Sequence, residues 1–214
     1  MKKLLLLFLL LFSAVSFATN TKDAGTFTIS VIPDSIFVRM SGKSFPKNCA
    51  VLRSSLRYLR LSYWGKDNQP HVGEMICNKA IANDLVDIFK QLYVAKYTIE
   101  RMELVDNYGA SDEKSMTANN TSCFNFRYVS GTKTVSKHGQ GMAVDINPLY
   151  NPCVSSSGNV EPTAGKAYAN NRSTRSDIPM KIDRNDLCYK LFVAHGFRWG
   201  GAWKSKKDYQ HFQK

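Results

Sequence analysis

An α+β fold, built as a small antiparallel sheet with flanking helices, is what this 214-residue sequence predicts. Three observations point there. A hairpin signature spans residues 56–77, helical periodicity is confined to two stretches, and strands and helices alternate without the regular βαβ rhythm of a parallel sheet. Composition is that of an ordinary globular protein, 43% hydrophobic and 21% charged, which excludes a disordered or fibrous chain.

The first element is a targeting signal. Met1-Lys2-Lys3 is a basic head, Leu4 to Phe12 an apolar run, and Ser16-Phe17-Ala18 a small-x-small cleavage site. A membrane span needs about 20 apolar residues, and this run is shorter and broken by serines. Residues 1–18 are therefore read as a cleaved signal peptide, with no transmembrane span afterwards and an exported product in the periplasm, cell envelope or medium. No cysteine follows Ala18 to carry a lipid. The mature chain keeps 27 basic against 17 acidic residues, a net charge of +10. That charge favours anionic partners such as cell-wall polymers, acidic peptides or nucleic acid without choosing among them. No helix-turn-helix, zinc-finger or aromatic-platform motif supports nucleic acid. Export permits disulfides, and since there are five cysteines at least one thiol is left over.

Residues 19–45 are polar, with scattered apolar residues such as Phe27, Ile29 and Val31 and punctuation by Pro33, and read as an N-terminal extension with one strand. Leu56 to Trp64 is rich in strand formers, Gly65 to Pro70 is a turn cluster, and His71 to Cys77 resumes an extended pattern. Between Lys79 and Ala95, Ile81, Leu85, Ile88, Phe89 and Leu92 form one apolar stripe of a core-facing helix. Tyr97 to Val105 reads as a strand and residues 106–137 as polar loop. Asp186 to His195 reads as a second helix stopped by Gly196, with His195 favourably placed at its C-terminal end. Two aromatic-rich extended pieces follow, around Phe197 to Trp199 and Tyr209 to Phe212.

Chemistry concentrates around two of the four histidines. His138 and Asp145 lie seven residues apart, an odd spacing that on one straight strand puts them on opposite faces. Gly139 and Gly141 allow a turn between them that brings both side chains together. An ionised Asp145 beside Met142-Ala143-Val144 is costly unless paired with positive charge, and a divalent metal supplies it. His211 is the candidate third ligand; two histidines and one carboxylate leave a fourth position open, as in catalytic zinc sites. Asp208, three residues earlier, is placed near such a metal as a general base. The competing structural reading makes His138 a turn residue and pairs Asp145 with Arg127.

The segments Ser136-x-His138-x-x-Gly141-x-Ala143-x-Asp145 and Asp208-x-x-His211 resemble the double signature of the zinc D-alanyl-D-alanine carboxypeptidase family. That family includes L-alanyl-D-glutamate endopeptidases and shares its fold with lysostaphin-type enzymes and the hedgehog domain. The resemblance extends to Asn119-Asn120-Thr121-Ser122, Phe124-Asn125-x-Arg127, Asp145 to Pro152, and Gly196 to Trp203, covering roughly residues 46–214. It implies an LAS-type (hedgehog/D-Ala-D-Ala peptidase) fold with 46–214 as catalytic domain. It implies Zn2+ on His138, Asp145 and His211, Asp208 as base, and Arg127 near the scissile carbonyl. Ser136 either binds substrate or caps its own turn. The implied substrates are peptidoglycan stem peptides, cleaved as a D-Ala-D-Ala carboxypeptidase; the alternatives are an L-Ala-D-Glu endopeptidase or a non-catalytic wall-binding module.

Overall fold

A computed structural model describes residues 25–129 and 131–214; the signal-peptide reading falls outside them. The fold is α+β, with four α-helices and three three-stranded sheets among the described residues. The first sheet has the order β1-β2-β3, where β1 is Phe27–Ser30, β2 Leu56–Trp64 and β3 Pro70–Asn78. The β2–β3 hairpin pairs Leu56 with Asn78 at one end and Trp64 with Pro70 at the other. Its turn closes through Gly65 N–H donating to the Gln69 carbonyl at 2.8 Å, with Asn68 in the left-handed region.

Strand alternation gives this hairpin two cores. Leu59, Leu61, Met75 and Cys77 face one side, against Leu85, Ile88, Phe89 and Leu92 of α2 (Ala82–Val94). Each of these side chains, fully buried, contributes about 1.5–3 kcal/mol of hydrophobic free energy. Leu56, Tyr58 and Ile76 face the other side, against Met40 of α1 (Asp34–Met40) and Phe124 and Phe126.

The site rests on the far side of the larger core. There β4 (Ala143–Asp145), β9 (His211–Gln213) and β7 (Arg198–Trp199) form a sheet of order β4-β9-β7. Phe212 of β9 stacks on Phe192 of α4 (Leu187–Ala194), ring centroids 4.4 Å apart. The third sheet, order β6-β5-β8, joins β5 (Cys153–Ser155) to β6 (Val160–Glu161) and β8 (Lys206–Asp208).

Two expectations fail. Tyr97 to Val105 is not a continuous strand: Thr98 and Arg101 form only isolated bridges, to Trp64 and Asn120, and side chains take other backbone groups, Glu100 N–H donating to Asn147 and Glu103 N–H to Asn120 at 3.1 and 2.8 Å. The expected loop 106–137 contains a helix, α3 (Asp112–Thr117), capped by Ser111, whose hydroxyl accepts from Lys114 N–H. No helix among the described residues is long and apolar enough to cross a membrane.

Candidate metal centre

His138 sits at the start of the turn that the two glycines were expected to form. Gly141 has φ +68°, and its N–H donates to the His138 carbonyl at 2.9 Å. A Cβ on Gly139 would lie 2.7 Å from the Arg127 carbonyl oxygen, so only glycine lets the turn pack this closely. The turn is gripped from below by the hairpin: Asn78 N–H donates to Gly141 O at 2.8 Å and the Asn78 side chain to Gln140 O at 3.1 Å. Asp145 is held on both edges, bridged to Ser122 on one side and paired in register with His211 of β9 on the other.

Three donor atoms therefore converge. His138 Nε2 lies 3.1 Å from His211 Nδ1 and 3.2 Å from Asp145 Oδ1, and His211 Nδ1 lies 3.1 Å from the same oxygen. The outward nitrogens set the tautomers. His138 Nδ1–H donates to the Cys123 carbonyl at 2.7 Å, and His211 Nε2–H donates to Gln213 Oε1 at 3.0 Å. With both rings neutral, both inward nitrogens would present lone pairs toward a carboxylate oxygen, an arrangement that demands positive charge at its centre, either a proton or a metal ion. Tetrahedral zinc with nitrogen and oxygen ligands at about 2.0–2.1 Å spaces its ligand atoms by about 3.3 Å, close to the triangle observed. The donor set fits the ion.

Electrostatics agree. Burial opposes ionisation of Asp145, yet the charge and hydrogen bond of His138 and the hydrogen bond from His211 outweigh it, holding the carboxyl well below its ordinary range. Burial likewise disfavours the His211 cation, but the hydrogen bond and charge of Asp145 raise its pKa overall. The pocket attracts a cation, and a divalent ion answers that demand as a proton on one imidazole does.

The triangle lies in a cleft of about 460 Å³ that Arg127, Ser136, Trp203, Lys206 and Asp208 also line. Asp208 ends β8, opposite Cys153. Gly200 backs it: a Cβ there would meet Asp208 O at 2.7 Å and His211 Cβ at 3.2 Å. Asp208 is 7% exposed, and its Oδ1 has no hydrogen-bond partner among the described residues. A buried carboxylate oxygen without a donor is a costly group to keep. Arg127 does not pair with Asp145; its Nε donates to Asp112 at 2.7 Å, and Asn125 holds the other oxygen of Asp112 at 2.8 Å. The Ser136 hydroxyl accepts from Gly139 N–H at 2.9 Å, so it caps its turn while facing the cleft.

Trp199 is core and Trp203 lines the cleft. His195 caps the end of α4, and its Nδ1 contacts Leu191 O at 2.8 Å. All five cysteines are free thiols. Cys153 reaches the cleft, but burial and the neighbouring Asp208 push its thiol up to about 12, which keeps it protonated and unreactive. Sequence reasoning missed Gln213 and Asp112. Gln213 carried a usable signal, because residues two apart on a strand share a face and Gln213 is two beyond His211.

A buried two-histidine, one-carboxylate triangle beside a buried carboxylate is a donor set that could hold a metal ion in a hydrolytic site. Residues 130–214 match the family model described as D-alanyl-D-alanine carboxypeptidase, and that segment holds all three triangle residues and Asp208. Arg127 lies just outside it. No curated protein and no solved structure matches the chain. Peptidases of this family depend on zinc and act on cell-wall peptides.

Proposed function

We propose that the chain is an exported zinc D-alanyl-D-alanine carboxypeptidase, with residues 1–18 removed and 46–214 as its catalytic domain, trimming the stem peptides of peptidoglycan. The observation that carries the reading is the convergence of His138, Asp145 and His211 in the cleft that holds Asp208. A non-catalytic module would have no use for the complete set. Zinc held by the three residues would supply Lewis acidity and lower the pKa of a water toward neutrality.

The chain's own groups do the rest. Asp208 takes a proton from the attacking water as a C–O bond forms at the scissile carbonyl carbon. It then hands that proton to the leaving amine as the C–N bond breaks, so the peptide and one water become an acid and an amine. The guanidinium of Arg127, oriented by Asp112, stabilises negative charge on the carbonyl oxygen. Ser136 keeps the His138 turn closed from the cleft wall.

Asp208→Asn preserves shape and removes the proton acceptor. Zinc content and thermal midpoint should stay at wild-type values while kcat falls by at least roughly 10². Loss of zinc would make Asp208 a ligand, and near-normal turnover would move the base elsewhere. Mass analysis of a muropeptide digest should show release of terminal D-Ala; loss of the stem after L-Ala would make the enzyme an endopeptidase. Export has its own check: protein recovered from the envelope or medium should begin at Thr19, and an intact Met1-Lys2-Lys3 on that material would refute it.

A further inference from the structure

Three cations line the cleft: Arg127, Lys137 and Lys206. All three are engaged with the protein, two of them away from Asp208. Arg127 is tied to Asp112, and Lys137 Nζ donates to the Lys214 carbonyl at 3.1 Å. Lys206 is different. Its ammonium lies 3.5 Å from Asp208 Oδ2 and 5.0 Å from the centre of the Trp203 ring, with its side chain 44% exposed. The backbone is not free to wander, since Lys206 pairs with Ser155 within the β5–β8 ladder. Burial disfavours the charge on Lys206, but Asp208 more than compensates, so the side chain stays a cation.

Position relative to Asp208 gives this cation its meaning. Under the mechanism proposed above, on which this inference rests, Asp208 delivers its proton to the leaving amine. The side of Asp208 is therefore the leaving-group side. On any α-amino acid the α-carboxyl carbon is two bonds from the amine nitrogen. In a stem peptide ending in D-Ala-D-Ala the leaving residue carries a free α-carboxylate at that place. The same holds at the L-Ala-D-Glu bond, because D-Glu continues the chain through its γ-carboxyl and leaves its α-carboxylate free. An ordinary α-linked peptide carries a neutral amide there.

We propose that Lys206, steadied by the Trp203 face, binds the free α-carboxylate of the leaving residue and makes the site selective for peptide bonds that precede one. The ammonium supplies a charge-assisted hydrogen bond to a carboxylate and a weaker one to a carboxamide. Lys206 is thus a specificity-determining residue, and amidation of the leaving residue is the substrate modification that blocks cleavage.

The test uses full-length zinc-loaded enzyme and two pairs of synthetic stem peptides. One pair ends in D-Ala-D-Ala as the acid or the amide; the other carries D-Glu or D-isoglutamine after L-Ala. Wild type should prefer the acid member of the pair it cleaves by at least roughly tenfold in kcat/KM, mostly through KM. In Lys206→Met the acid-to-amide ratio should fall toward one, and in Lys206→Arg it should persist. Because the ratio is read within one preparation, partial misfolding does not mimic the result. Wild type that cleaves acid and amide alike, or Lys206→Met that keeps the preference, overturns this proposal and leaves the peptidase reading standing. Failure of wild type to cleave any of the four peptides overturns the peptidase reading itself, and the role of Lys206 with it.

Discussion

The side chain of Gln213 shows how far the site extends beyond its ligands. By accepting the outward N–H of His211, it decides which ring nitrogen faces Asp145. A ligand histidine whose outer partner is lost can rotate or take the other tautomer, a change that lowers metal affinity about 10–100-fold. Gln213→Ala should weaken zinc binding by that factor, measured by competition with a chelator, with the far-ultraviolet dichroism unchanged. Gln213→Glu, which keeps an acceptor oxygen, should restore affinity. Equal affinity in all three proteins would reduce Gln213 to a bystander. The carbonyl of Cys123 does the same for His138, and no side-chain substitution reaches it directly.

At the scale of elements, the helix N-terminus at α4 carries a pH signature. Its cap, Asp186, accepts from Cys188 and Tyr189 N–H and from the Tyr97 hydroxyl. Burial nevertheless raises its pKa to about 6, those hydrogen bonds opposing the shift. A carboxyl whose folded pKa lies above its unfolded value of roughly 4 binds its proton more tightly when folded. The stability it contributes is complete below about pH 4 and is lost as pH rises through about 6. Asp186→Asn keeps an acceptor for the cap and cannot ionise, so its unfolding free energy should lack that decline. Denaturant titrations of both proteins from pH 4 to 7 measure it, and parallel curves would remove Asp186 as the cause. The hairpin with its turn cluster and the stripe of α2 were legible from sequence, since each repeats over enough residues to declare a period. The stripe's start was less so: Lys79 to Ile81 form a turn, with Ala80 N–H donating to the Asn78 side chain, before the helix begins at Ala82. Ile99, Met102 and Leu104 are buried as a strand's would be, but the segment pairs only through isolated bridges, and the side chains of Asn120 and Asn147 take two of its backbone N–H groups. Helix α3 has six residues, too few to show a period at all. The convergence of His138, Asp145 and His211 was readable because metal-binding chemistry restricts residue type. Asp112 was not, since an acid that orients an arginine leaves no spacing rule behind.

For the whole molecule, the three small sheets hold one another through loops. Asp145 and His211 face each other across two three-residue strands, yet 66 positions of chain separate them. An ion bound to both would close that length of polymer into a ring, much as a disulfide does. By the entropy of loop closure, a link across a segment of this length stabilises the folded state by roughly 4 kcal/mol, taken from the unfolded ensemble rather than from any contact in the native one. With all five cysteines reduced, the chain has no other such link among its described residues. Removing zinc with a chelator should accordingly lower the thermal midpoint by several degrees, and His138→Ala, which leaves two ligands, should lie between the loaded and stripped proteins. A midpoint indifferent to chelation would mean that the site is rigid without its ion. Otherwise an ion held there would double as this fold's removable covalent-like staple, and scarcity of metal would become a route to its unfolding and degradation.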